Sequence, residues 1–182
     1  MLASPPLDGR TLRTVLGCFA TGIAIVSTRG PVAGHVAVTV NSFASVSLDP
    51  PLVLFSLSRR ANVVPHFVAG SDFAVSILGT AHESLSSAFA RPSTAQWPED
   101  GCVLGTNGCA LVRGALAHLE CRKWAEYDGG DHLILVGEVT SLAATPDADP
   151  LLFFRGGYRK FTPAPTAAAT PLHLDELIPG WG

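Results

Sequence analysis

The spacing of apolar residues along the chain changes period several times, and each change predicts an element. Leu12, Val15, Leu16 and Phe19 recur at i, i+3, i+4 and i+7, which predicts a helix with one apolar face. Asp8 stands where it can cap the start, and Gly22 where a left-handed residue can end it. From Ile23 the pattern shortens. Ile23 to Thr28 is β-branched and strand-like, and Gly30-Pro31 makes a turn. Val36, Val38 and Val40 alternate with Ala37, Thr39 and Asn41, a period of two and so a strand with two different faces. Phe43 to Leu48 continues in the same style, and Asp49-Pro50-Pro51 turns the chain. Leu52 to Leu57 is almost continuously apolar and predicts a strand buried on both faces.

A short helix follows over Asn62 to Ala69, with Pro65 tolerated in its first turn and Gly70 stopping it. Phe73 to Leu78 is strand-like. Thr80-Ala81-His82-Glu83 fits a capping box, opening a helix that turns Leu85, Ala88 and Phe89 inward. Arg91 to Asn107 is rich in loop formers. Cys109 to Val112, Leu116 to Lys123 and His132 to Leu142 predict three more strands, the last two joined through Tyr127-Asp128-Gly129-Gly130. Leu151 to Phe161 contains Gly156-Gly157. Thr162 to Pro171 is Pro, Ala and Thr, as in a linker or extended arm, and Leu172 to Gly182 is too short to fold alone. Many short strands with few helices predict a closed or nearly closed barrel, without fixing strand order.

Composition narrows the function. At 182 residues the chain holds one substantial core. Only 15% of residues are charged and the net charge is −3, with ten arginines and two lysines scattered rather than clustered. No basic stripe suits a nucleic acid. A mean hydropathy of +0.33 is high, yet no apolar run reaches the roughly 20 residues of a membrane helix. That excess fits subunit burial or a cofactor cavity. Met1 to Arg10 does not read as a signal peptide, and the expected location is the cytoplasm. Cys18, Cys102, Cys109 and Cys121 lack metal spacing and read as buried free thiols. The fingerprints of a Rossmann domain, a P-loop, a zinc protease and an α/β-hydrolase are all missing.

Four segments can carry chemistry, and each has a plainer reading. Thr39 to Ser47 is dense in small hydrogen-bonding side chains beside the apolar Leu52–Leu57 run. A flavin ring needs such a flat apolar floor with polar edges; an amphipathic strand facing solvent would look the same. Ser58-Arg59-Arg60-Ala61-Asn62, between a strand and a helix, suits a phosphate; otherwise it is a loop with two solvated arginines. Asp131-His132 sits at a strand mouth, where an imidazole can meet a carbonyl or phosphate; otherwise it is one more satisfied polar group. Arg155-Gly156-Gly157-Tyr158 brings an aromatic ring to a ligand, or is an ordinary hairpin turn.

Taken together, Phe19 to Thr28, Val38 to Val53, Gly130-Asp131-His132 with Gly137-Glu138-Val139, and Gly157-Tyr158 resemble the flavin reductase-like proteins of the FMN-binding split-barrel fold. Within that group the likeness is to the short-chain reductases of two-component flavin-dependent monooxygenases, over about residues 7 to 161. The resemblance implies a mainly β protein: a six-stranded antiparallel split barrel, Greek-key-like, with a few short peripheral helices. It implies a homodimer with flavin near the subunit interface, and a domain of residues 1–161 followed by a C-terminal arm, 162–182. Reduced FAD or FMN, with NADH or NADPH as hydride donor, would pass to a partner monooxygenase by diffusion. Carried over by position, Thr39, Val40, Asn41 and Ser42 line the isoalloxazine, with Ser45 behind it. Ser56, Ser58, Arg59 and Asn62 reach the phosphates, and Phe89, Ala90 and Arg91 touch the far side of the flavin or its adenylate. His132 orients the nicotinamide, with Tyr158 nearby. The backbone amides of Asn41 to Phe43 are candidates for the N1–C2=O edge. A flavin carrier without reductase activity, and a cofactor-free interaction barrel, are the rival readings.

Overall fold

A computed structural model describes residues 7–30, 34–91, 96–145 and 149–161. In chain order the elements are α1 (Gly9–Leu16), β1 (Thr21–Gly22), β2 (Ala24–Arg29), β3 (His35–Val40), β4 (Ala44–Leu48), β5 (Pro51–Ser58), α2 (Val64–Ala69) and β6 (Asp72–Ile77). A single 3-10 turn (Thr80–His82) leads into α3 (Glu83–Phe89), then β7 (Cys102–Leu104), β8 (Ala110–Val112), β9 (Ala117–Gly129), β10 (His132–Ala144), β11 (Leu151–Phe154) and β12 (Gly157–Lys160). The protein is mainly β, as expected. Its principal sheet has seven antiparallel strands in the order β3-β2-β6-β9-β10-β5-β4, one more than the six anticipated.

The sheet curls around an apolar interior. Val26, Val38, Val40, Phe55, Leu57, Phe73, Val75, Leu133 and Leu135 point into it, and Phe67 of α2 plugs one end. The Phe55 ring meets Phe67 and Phe73 edge-on at centroid distances of 5.7 and 5.1 Å, the favoured geometry for aromatic pairs. Here β5 departs from expectation. Val53, Phe55 and Leu57 are buried while Leu52, Leu54, Ser56 and Ser58 are only half-buried, because just one face of this strand has a core behind it. A second apolar cluster lies on the outer side of β2 and β3, where Ile23, Ile25 and Ala37 meet Leu78, Phe89, Val112 and Leu151.

Two glycines explain local geometry. Gly137 sits at a bulge in β10, where a Cβ would lie 2.2 Å from the Phe73 ring. Gly130, at φ +73°, supplies half of the two-residue Gly130-Asp131 turn joining β9 to β10. The turn therefore falls two residues later than the Tyr127–Gly130 expectation, with Tyr127 and Asp128 still in β9.

The helix ends differ from the sequence reading. Asp8 caps α1 as expected, accepting from the amides of Arg10 at 2.9 Å and Thr11 at 2.8 Å. The helix stops at Gly17, however, and Gly22 lies in strand β1. On the α1 face Leu12, Val15 and Leu16 are 46%, 60% and 62% exposed among the described residues, and Phe19 beyond it is 77% exposed. Thr80 does not form a capping box with Glu83: the 3-10 turn intervenes, and Gly79 is its cap. Ala88 is exposed, whereas Phe89 is buried against Trp97. Among the cysteines only Cys109 and Cys121 are buried, and burial raises their thiols to about 11 and about 12. Cys18 is exposed. The Thr162–Pro171 run lies outside the described residues.

Candidate active site

The curled sheet is open on one side, and the reason lies in the pairing register. β4 pairs with only the first half of β5, through Pro51, Leu52, Val53 and Leu54. The free edge of Phe55 to Ser58 therefore faces the free edge of β3, which pairs with β2 alone among the described strands. One side chain bridges the split. Ser42 Oγ accepts from the Ser56 amide at 2.9 Å and donates to the Ser56 carbonyl at 3.1 Å. It thus replaces a missing ladder pair with a hydroxyl.

Beside that bridge lies a cleft of about 280 Å³. Val38, Thr39, Val40, Asn41 and Ser42 form one wall, and Ser56, Leu57 and Ser58 the other. Ala61, Ala90 and His132 complete the rim. Strand alternation turns the Ser58 amide the same way as the Ser56 amide, into the opening. Unpaired backbone edges supply donors and acceptors, and Val38, Val40 and Leu57 supply an apolar floor. This combination fits a flat heteroaromatic ring with polar edges. The volume, near the lower end of the ~300–1,000 Å³ range of ligand pockets, holds a ring system and leaves any phosphate tail to run outward.

His132 opens β10 directly opposite Ser58 on β5, on the same outer face as Ser56 and Ser58. Its Nδ1 bonds Asp131 Oδ1 at 2.7 Å. A carboxylate only accepts, so Nδ1 carries the proton and a neutral ring keeps Nε2 as an acceptor. The Asp131 carboxyl is held below its ordinary value chiefly by the hydrogen bond from His132.

The structure gathers Thr39, Val40, Asn41, Ser42, Ser56, Ser58, Ala90 and His132 around one cleft, and places the other candidates elsewhere. Arg59 turns to the β9–β10 turn. Its Nε donates to the Gly130 carbonyl at 2.9 Å and its Nη2 to Asp128 at 2.8 Å, which lowers the Asp128 carboxyl. Asn62 and Arg91 are exposed beyond the lining, and Ser45 is exposed on β4 beside a register shift. Phe89 is buried in the outer cluster.

Tyr158 also misses the cleft. Its hydroxyl shares a hydrogen bond with Ser86 Oγ at 2.8 Å, and Thr39 Oγ1 donates to the Ser86 carbonyl at 2.7 Å. This chain of contacts fixes α3, and so Ala90, against β3. Sequence reasoning missed it and did not single out Val38, while Leu57 and Ala61 were named only within the Leu52–Leu57 floor and the Ser58–Asn62 segment. Val38 was legible from its alternation with Thr39, and Leu57 as the end of the apolar Leu52–Leu57 run; Ala61 gave no separate signal.

A family model, the flavin reductase like domain, matches residues 16–162. The chain belongs to the flavin reductase-like family. Among relatives, the NADH-dependent FMN reductase SmoA of Agrobacterium fabrum is 41% identical over 155 residues, covering 85% of this chain and 87% of that protein. The reductase subunit HsaB of a flavin-dependent monooxygenase in Mycobacterium tuberculosis is 35% identical, covering 96% and 92%. Among solved structures, the Streptomyces globisporus NADH:FAD oxidoreductase SgcE6, in complex with NAD and FAD fragments, superposes with a TM-score of 0.83. It is 39% identical, with 90% of this chain and 98% of that one covered. The split between β3 and β5 is thus found in a family whose named members work on flavins.

Proposed function

We propose that this chain is an NADH-dependent flavin reductase whose flavin substrate, FAD or FMN, occupies the cleft between β3 and β5. The observation that carries the reading is the pair of unpaired strand edges around an apolar floor, with His132 on the rim, in a chain of this family. The reaction moves a hydride from the dihydropyridine of NADH to the flavin N5, and a solvent proton completes the reduced flavin. The protein's part is placement. Val38, Val40 and Leu57 support the ring from below. The Asn41 to Phe43 backbone meets its polar edges, and donors there favour charge that develops on reduction. The His132 Nε2 accepts from the nicotinamide carboxamide and holds the donor face over the ring. Such orientation alone removes a large part of a bimolecular barrier.

SmoA and SgcE6, both named for NADH, support that nicotinamide over NADPH. Ser58, rather than Arg59, is the phosphate-side contact, since Arg59 is held by Asp128 and Gly130. An open cleft lets reduced flavin leave, and the likeness to HsaB supports a flavin-dependent monooxygenase as its consumer. Two copies of the chain pairing beside the cleft would cover its outer side. Residues 1–161 form the reductase domain and 162–182 an appended arm. No helix among the described residues is long and apolar enough to cross a membrane.

The test is spectrophotometric. Purified protein, NADH and either flavin are mixed and absorbance at 340 nm is followed. Decay that needs both protein and flavin is expected. Tight flavin binding with no decay from NADH or NADPH would instead make the protein a carrier.

A further inference from the structure

Three donors of Arg59 converge on the turn between β9 and β10. Its amide donates to the Asp131 carbonyl at 3.0 Å. Its Nε donates to the Gly130 carbonyl at 2.9 Å, and its Nη2 to Asp128 Oδ1 at 2.8 Å. The same Asp128 oxygen accepts from the Gly130 amide at 3.0 Å. The Gly130 carbonyl belongs to the peptide before Asp131, and the Asp131 carbonyl to the peptide after it. Arg59 therefore holds both peptides that flank the Asp131 Cα. The register makes this possible: His132 lies opposite Ser58, so Arg59, one residue further along, comes to the turn. A guanidinium is a planar fork with fixed donor directions, which an ammonium on a flexible stem does not reproduce.

Folding stability is not what this arrangement chiefly supplies. The Arg59 and Asp128 side chains are 46% and 80% exposed, and an exposed ion pair contributes little to stability. Its effect is on geometry. The Asp131 carboxylate is 93% exposed, and among the described residues the one side chain that bonds it is His132, through Nδ1 at 2.7 Å. The carboxylate is thus aimed by the backbone that carries it, and Arg59 sets that backbone. Which imidazole nitrogen carries the proton is in turn set by the partner of the other. We propose that Arg59 is a positioning residue for hydride transfer. By fixing both peptides around Asp131 it aims the carboxylate that keeps the His132 proton on Nδ1, and so leaves Nε2 free to accept from the nicotinamide carboxamide. The inference rests on the reading above that the nicotinamide lies at His132. It gives Arg59 a part in placing the hydride donor rather than in holding a flavin phosphate.

The first readout needs neither flavin nor NADH. Long-range proton–nitrogen correlation spectra of the full-length protein, at a pH where imidazoles are neutral, report which ring nitrogen of His132 is protonated. The signal is assigned by its loss in His132→Gln. The wild type should show the Nδ1–H form. Arg59→Ala, and Asp128→Ala from the other side of the clamp, should both shift the ring toward the Nε2–H form. Arg59→Lys, which keeps the charge and loses the fork, should follow Arg59→Ala. The second readout is kinetic. Arg59→Ala should raise the KM for NADH about fivefold, the effect of one lost hydrogen bond, with kcat and flavin affinity retained. The rise should be the same with FMN and with riboflavin, which carries no phosphate. In the His132→Ala background Arg59→Ala should add nothing further, because it acts through that ring. A wild-type tautomer in Arg59→Ala, an effect seen with FMN but not with riboflavin, or effects of Arg59→Ala and His132→Ala that multiply would overturn the proposal. The spectra separate the two possible failures: a failed clamp leaves wild-type NADH oxidation in place, and a failed reductase reading leaves the tautomer shift.

Discussion

His132 is placed by one neighbour in sequence and one across the sheet. Its ring is oriented by Asp131, and its register opposite Ser58 sets it at the mouth of the cleft. His132→Ala should therefore raise the KM for NADH about fivefold to tenfold, the loss of one hydrogen bond of ~1–1.5 kcal/mol, while flavin affinity measured by fluorescence quenching is retained. An unchanged kcat/KM would remove His132 from the site. Ser42 works on the fold instead. Ser42→Ala leaves the Ser56 amide and carbonyl without their bridge, a loss of ~1–3 kcal/mol, and should widen the split. Both stability in urea and flavin affinity should fall. The dense small polar run at Thr39 to Ser47 was legible as a ligand surface, but not that one hydroxyl would span two strands. Arg59 was legible only as a cation. Which anion it would find depended on a turn some seventy residues away, and the Asp128 carboxylate and Gly130 carbonyl of that turn hold it.

Elements were read well where one force decides them and less well where two compete. The β3 alternation and the Asp8 cap follow local rules, and both stand. The Thr80 capping box failed because Gly79 and a 3-10 turn already satisfy that corner. Asp8 offers a test of the cap through pH. Its carboxyl is held below its ordinary 3.8 by the Thr11 amide and hydroxyl and by the Arg10 amide. The charged form is the one that caps, so the cap is complete above about pH 4 and is lost as pH falls through the lowered value. Hydrogen exchange at the Arg10 and Thr11 amides should show protection at pH 6 that disappears in Asp8→Ala. In β10 the bulge at Gly137 makes room for the Phe73 ring. Gly137→Ala puts a methyl into that ring and should cost ~1–3 kcal/mol. At a urea m-value of ~2 kcal/mol/M, the midpoint drops by about 1 M.

At the scale of the molecule, the property that matters is incomplete closure. A seven-strand sheet with a short β4 cannot seal against β3, and the unsealed stretch is lined by Thr39, Ser42, Ser56 and Ser58. The sequence carried the polar and apolar halves of that cleft in separate stretches, Thr39 to Ser47 and Leu52 to Ser58. Only the pairing register shows that they face each other. The exposed α1 face was unreadable for a related reason: periodicity says that a face is apolar, never what covers it. The most direct measurement is a crystal of the protein soaked with oxidised FMN. The account predicts isoalloxazine density lying between Thr39–Ser42 and Ser56–Ser58, with its outer face open toward His132. Density on the exposed α1 face, or a cleft filled by the protein's own side chains while flavin binds elsewhere, would contradict it.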